Sequence, residues 1–189
     1  DGTPVKFVAY YPYNADVRNF NYPVQLAAQE RGSTACDLLY AATKEEYTYS
    51  PENEPHISLN FTHRLAKVIL KFVNMEKEPL EVSDVRIEGM QTAASFNIQT
   101  DVLTVDESSV ATINPYHNAT TGFYEAIILP SALTDSYKVS FVLDDREKEW
   151  IFTNLDIALP QFHKGYSYTF ALYIDDSGFV EMGRLENVE

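Results

Sequence analysis

The 189-residue sequence holds one cysteine, one tryptophan and only seven glycines. Cys36, standing alone, closes no internal disulfide and builds no two-cysteine metal or redox motif, so cysteine usage leaves the compartment open. Basic charge is also scarce. Fourteen Lys and Arg stand against 28 Asp and Glu, a net charge of −14 at pH 7, and phosphate backbones and anionic lipid repel such a surface. This argues against nucleic acid and acidic membranes as partners. Long apolar runs are missing as well: Val68–Leu70 and Ala126–Leu129 fall far short of the ~20 residues of a bilayer-spanning helix. There is no Met start, charged leader or lipobox-like cysteine near the front, and Val5 already sits in an apolar run, as if a preceding segment had been cut away.

Against these absences, 45% of the residues are hydrophobic and 13% aromatic, enough for a real core. The dominant pattern is two-residue alternation, the signature of half-buried strands. Val5, Phe7, Ala9, Tyr11 and Tyr13 share one parity; so do Tyr137, Val139, Phe141 and Leu143, and again Tyr166, Tyr168, Phe170, Leu172 and Ile174. Asp144, Asp145 and Arg146 suit a hairpin between strands over 137–143 and 148–153. From Ile57 to Phe61 the apolar set is odd-numbered, and from Ala66 to Phe72 it is even-numbered. That phase change predicts a bulge or sharp bend near His63–Leu65. A helix over Leu65–Val73 also satisfies the spacing, but its β-branched and aromatic residues favour a strand. Shorter strands are expected at Leu38–Ala42, Val82–Glu88, Ala94–Ile98, Val102–Val105, Val110–Ile113 and Phe123–Leu129. One helix is expected over Val24–Arg31, capped by Gly32. The class is all-β, a β-sandwich. Phe61, Val68, Leu70, Val85, Ile87, Val139, Phe141, Trp150, Tyr168, Phe170 and Leu172 are its expected interior. The polar, proline-bearing stretch 43–56 marks a boundary near Glu54. The division is then 1–54, the end of a preceding β-sandwich domain; 55–177, a complete sandwich; and 178–189, a tail that is extended, loosely held and able to pair with a neighbour's sheet edge.

Chemistry-bearing groups are few and scattered. His56, His63, His117 and His163 form no HxH or HExxH pattern, and Ser58, Ser83 and Ser131 lie in no GxSxG turn. Cys36 has none of the local signatures of a catalytic thiol, and His63 reads as a histidine satisfied by backbone groups where the parity changes. The acidic pairs Glu45-Glu46, Asp144-Asp145 and Asp175-Asp176 lack calcium-loop spacing. Asn60-Phe61-Thr62 and Asn118-Ala119-Thr120 match the short glycosylation pattern. The tyrosines at 10, 11, 13, 22, 40, 47 and 49 could line a carbohydrate-binding face, although alternating aromatics in a β protein more often pack a core. No catalytic, cofactor or metal residue is assigned, and the expectation is a protein that is not an enzyme.

The segments VKFVAYYPY (5–13), DLLYA (37–41), LNFTHRLAKVILKF (59–72) and VRIEGMQTAASFNIQTDVL (85–103), followed by AIILP (126–130) and FHKGYSYTFAL (162–172), occur here in that order. Together they resemble the fimbrillin family of Bacteroidetes, surface proteins that build, cap or anchor fimbriae. The resemblance implies a lipoprotein leader, two transthyretin-like β-sandwich domains, a place at the cell surface or outer membrane, and no catalytic residues. It also implies partnership with other fimbrial subunits by β-strand exchange. A second reading is a tip adhesin that binds a host protein or glycan. The closing DDSGFVEMGRLENVE lacks the well-marked final strand, often ending in Trp, of many relatives.

Overall fold

The computed structural model describes residues 2–29, 32–48, 56–75, 81–143, 146–155, 158–175 and 180–188. Its strands run β1 (Val8–Tyr11), β2 (Asn21–Gln25), β3 (Leu39–Ala42), β4 (Thr62–His63), β5 (Ala66–Asn74), β6 (Val82–Glu88), β7 (Ala93–Asn97) and β8 (Val102–Val105). They continue through β9 (Tyr116–Asn118), β10 (Phe123–Ile128), β11 (Ser131–Ala132), β12 (Lys138–Leu143), β13 (Arg146–Ile151), β14 (Gln161–Phe162), β15 (Ser167–Ile174) and β16 (Val180–Val188). A five-stranded sheet has the order β16-β15-β5-β10-β9, in which β15 and β5 are parallel and the other pairs antiparallel. The three-stranded sheet β13-β12-β6 faces it. Ala66, Val68 and Leu70 of β5, Val85 and Ile87 of β6, Val139 and Phe141 of β12, and Phe170 and Leu172 of β15 meet between the two. The fold is all-β, as alternation predicts.

A second core lies on the far side of β10. Tyr22, Val24, Leu26, Leu38 and Tyr40 pack with Phe96, Ile98, Leu65, Ile127 and Leu129. Side chains alternate faces along a strand, so Ala126 and Ile128 enter the first core while Ile127 enters the second. The unbroken apolar run there belongs to a strand covered on both faces. Buried Gln29 fastens the layer: its side-chain amide donates to the carbonyls of Leu26 (2.8 Å) and Ile127 (2.6 Å), and its oxygen accepts from the Ile127 N–H (2.7 Å). Strands on either side of the expected boundary also pair, β2 with β7 and β3 with β4. Glu54 itself lies outside the described residues.

The sharp bend falls where expected. β4 ends at His63 in the sheet β1-β3-β4 and β5 begins at Ala66 in the five-stranded sheet, so the parity change marks a chain passing from one sheet to another. Four expectations are corrected. The stretch expected to be helical opens instead as β2, because Tyr22, Val24 and Leu26 are buried at two-residue spacing. Pro23 is accommodated because β2 is an edge strand. Val110–Ile113 makes only isolated bridges, Val110 to Gln91 and Ile113 to Ile87. Phe61 is 47% exposed, since it precedes β4 on the face turned away from Tyr40 and Phe96, and Val5, Phe7, Tyr11 and Tyr13 are exposed as well. The tail is not loosely held: β16 is hydrogen-bonded along β15 from Ile174↔Val180 to Tyr168↔Val188. The expected hairpin turn at Asp144-Asp145 lies outside the described residues.

Candidate assembly edge and ligand groove

β16 ends the five-stranded sheet. One side pairs with β15, and on the other only a parallel bridge from Gly183 to Leu155 is found among the described residues. Leu185 packs on the first core, and Gly183 lies against the indole of Trp150: a Cβ there would sit 2.0 Å from Cζ2 and 2.3 Å from Cε2. On the opposite face the Lys71 ammonium contacts Glu186 at 2.5 Å, and the Arg184 guanidinium lies 5.4 Å from the Tyr173 ring centre. The strand is therefore seated by one backbone ladder, the Leu155 bridge, the glycine-indole contact, Leu185 on the first core and a few charged side chains. Such an edge can pair with another chain.

A groove of about 460 Å³ lies where the sheet β1-β3-β4 meets the five-stranded sheet. Leu65, Ala66, Ile69 and Ile127 contribute apolar surface, and Asp37, His63, Lys67, Tyr166 and Ser167 contribute polar groups. His63 Nδ1 is 2.8 Å from the Asp37 carboxylate, and the Lys67 ammonium is 2.7 Å from Glu125 on the adjacent strand. Tyr166 is 48% exposed. It follows Gly165, whose N–H donates to the Leu65 carbonyl (2.8 Å), and its own carbonyl accepts the Lys67 N–H (2.9 Å).

The other sequence candidates are dispersed. His117 stacks on Tyr124 with ring centres 4.6 Å apart, His163 lies beside the Gln161 side chain, and His56 is exposed. His63 differs from the expected backbone-satisfied histidine, for its partner is a carboxylate and it is exposed. Cys36 is half-buried; burial first, and then the Asp37 charge, push its thiol above its ordinary value, which disfavours the reactive thiolate. Among the described residues no three of His, Cys, Asp and Glu form a metal-holding group, and no helix is long and apolar enough to cross a membrane. The Asn118 side chain is engaged in its own turn, accepting from Thr120 N–H and donating to Glu125. The early tyrosines share no single face: Tyr22 and Tyr40 are buried, Tyr11 and Tyr13 exposed. Tyr49 and the pair partner Asp176 lie outside the described residues. No local motif marks Asp37 or Tyr166, because their neighbours come from distant segments of the chain, whereas Gly183 lies within the segment 178–189 expected to pair with a neighbour's sheet edge.

The Fimbrillin-like family model matches residues 1–187. A Bacteroides uniformis protein named as a candidate fimbrium subunit, Fim1C, is 26% identical over 99% of this chain, which spans 62% of that relative's length. The crystal structure of a candidate cell adhesion protein from Bacteroides uniformis superposes with a TM-score of 0.81 at 24% identity, covering 100% of this chain and 73% of that one. A second, from Bacteroides ovatus, gives 0.76 at 16% identity, covering 97% and 66%. At those identities the likeness establishes the fold.

Proposed function

Since the chain belongs to the fimbrillin-like family, we propose that it is a non-enzymatic component of a fimbria or fimbria-associated adhesive layer at the cell surface, exported as a lipoprotein precursor and joined to neighbouring subunits by β-strand exchange. The observation that supports exchange is the placement of β16. It is the terminal strand of its sheet, and apart from the Leu155 bridge its outer side carries no ladder among the described residues. Backbone hydrogen bonds supply affinity in such an exchange, and the glycine that accepts Trp150 supplies register. Strand exchange requires β16 to be replaceable by an identical strand from another copy.

A synthetic peptide spanning residues 178–189, incubated with the intact chain below its unfolding temperature, is expected to form a one-to-one complex in native mass spectrometry. The same peptide carrying Gly183→Val is expected to fail, because its side chain would strike the indole. Absence of any complex with the unmodified peptide would remove strand exchange from the reading while leaving the family membership untouched.

A further inference from the structure

We propose that Trp150 is the specificity-determining residue of the slot beside β15, admitting only a strand that brings a glycine against its indole. The inference rests on the strand-exchange reading and names the kind of strand that exchange accepts. Gly183 pairs with Leu172 of β15 on one side and bridges to Leu155 on the other, so its backbone is held between two neighbours. Against it stands the indole of Trp150, which β13 carries from the opposing sheet. A Cβ at position 183 would approach Cζ2, Cε2 and Nε1 to 2.0, 2.3 and 2.6 Å, and glycine alone has no Cβ. The indole is held as firmly as the glycine. It is buried beside the rings of Phe152 and Phe170, its Nε1–H donates to the Asn154 carbonyl, and its backbone pairs with Val139 of β12.

The neighbouring positions discriminate less. Leu185 packs on the first core, a place that other aliphatic side chains of similar volume can fill. Arg184 lies over the Tyr173 ring and Glu186 contacts Lys71, and exposed pairs of this kind contribute little in water. Position 183 therefore decides. Among the sixteen strands described, β16 is the only one that contains a glycine. A slot read in this way accepts the β16 of another copy and refuses the chain's own remaining strands, which is specificity by exclusion rather than by added attraction. The same contact holds the register, because a one-residue slip would set Arg184 where Gly183 stands.

The test is a competition for the intact chain between equimolar peptides spanning residues 178–189, one of native sequence and one carrying Gly183→Ala, below the unfolding temperature. Native mass spectrometry reads the ratio of the two complexes directly. The wild-type chain is expected to take the native peptide in preference by at least about tenfold, as overpacking of a buried contact requires. Trp150→Phe is expected to bring the ratio within about threefold of unity. Trp150→Leu is the second such variant, and cooperative thermal unfolding certifies the fold of each. A peptide carrying Arg184→Ala is expected to compete within about threefold of the native one. The proposal is overturned, with strand exchange intact, if the wild-type chain takes the native and Gly183→Ala peptides equally. It is overturned likewise if the Trp150 variants keep the tenfold preference, or if Arg184→Ala loses as much as Gly183→Ala. If no peptide enters either the wild-type chain or the variants, strand exchange itself fails and the selection falls with it.

Discussion

Gly183→Ala tests how β16 is seated. In a strand, alanine ordinarily improves on glycine by about 0.5–1 kcal/mol, because glycine surrenders more backbone freedom on folding. Here the added carbon would approach Trp150 Cζ2, Cε2 and Nε1 to 2.0, 2.3 and 2.6 Å, where non-bonded carbons prefer about 3.5–4.0 Å. The indole cannot simply withdraw. It is 3% exposed, backed by the rings of Phe152 and Phe170 at 5.1 and 5.9 Å, and its Nε1–H donates to the Asn154 carbonyl. Overpacking of this kind costs about 1–3 kcal/mol, and a gap this short belongs at the upper end, so the clash outweighs the backbone gain by about 2 kcal/mol. For a chain of this length that lowers Tm by about 4–8 °C. Calorimetry reads the shift, and the emission of the single tryptophan moves to longer wavelength if the strand lifts. Trp150→Phe removes Cζ2 and Nε1, so Gly183→Ala in that background is expected to be neutral or mildly stabilising, a coupling of about 2–3 kcal/mol across the cycle. A wild-type Tm in the single variant, or additive effects in the double variant, refutes the contact.

Gln29→Met keeps the length of the side chain but leaves the Ile127 N–H and C=O buried without their partners; a loss of about 2–3 kcal/mol in urea unfolding is expected, and a loss under about 0.5 kcal/mol would count against the staple. Gly89→Ala combines φ +85° with a Cβ 1.9 Å from the Ser136 carbonyl oxygen, whereas Gly122→Ala has φ +73° and open space. The first is expected to cost about 3 kcal/mol or more and the second about 1 kcal/mol, so equal Tm shifts would show that the backbone approach at Gly89 is unimportant. The Ser108 hydroxyl, with its backbone N–H, holds the Asp106 carboxyl below its ordinary value. A depressed folded-state value stabilises the fold above the unfolded carboxylate value and loses that effect as pH falls through the folded one. Ser108→Ala should raise the Asp106 titration midpoint in NMR, and an unmoved midpoint would exclude the hydroxyl as the cause.

Where a strand is covered on one or both faces by the sandwich, its pattern could be read directly. β6 and β8 fall on their expected bounds, and Val139, Phe141, Phe170 and Leu172 are interior as alternation requires. β16 was obscured by its own packing. Gly183 occupies an inward position that would ordinarily hold an apolar side chain, because Trp150 fills that space from across the sandwich. The register then shifts between Thr169 and Phe170, setting Glu186 out of phase. A strand whose pocket is filled by a partner has no stripe of its own. The exposed parity of Val5, Phe7 and Tyr11 shows the converse: apolar alternation marks a strand without stating which face is covered.

The groove was illegible for a different reason. Asp37 and His63 lie 26 positions apart, and Tyr166 shares parity with Tyr168 and Phe170, which enter the core. Only the start of β15 at Ser167 separates the exposed ring from the buried ones. The stretch from His63 to Lys67 brings these segments together, since His63 pairs with Leu39 beside Asp37 while Leu65 and Lys67 hydrogen-bond Gly165 and Tyr166; Ile127 of β10 lines the same groove, and the consecutive residues Ala126, Ile127 and Ile128 belong by turns to two cores. A strand shared in that way cannot slip by one residue without exchanging the contents of both cores, so its register is fixed more strongly than that of a strand with one solvated face. The second core, the Gln29 staple and the groove beside Ile127 all take their positions from that register. Asp37 and Tyr166 therefore line one groove that no local sequence motif specifies.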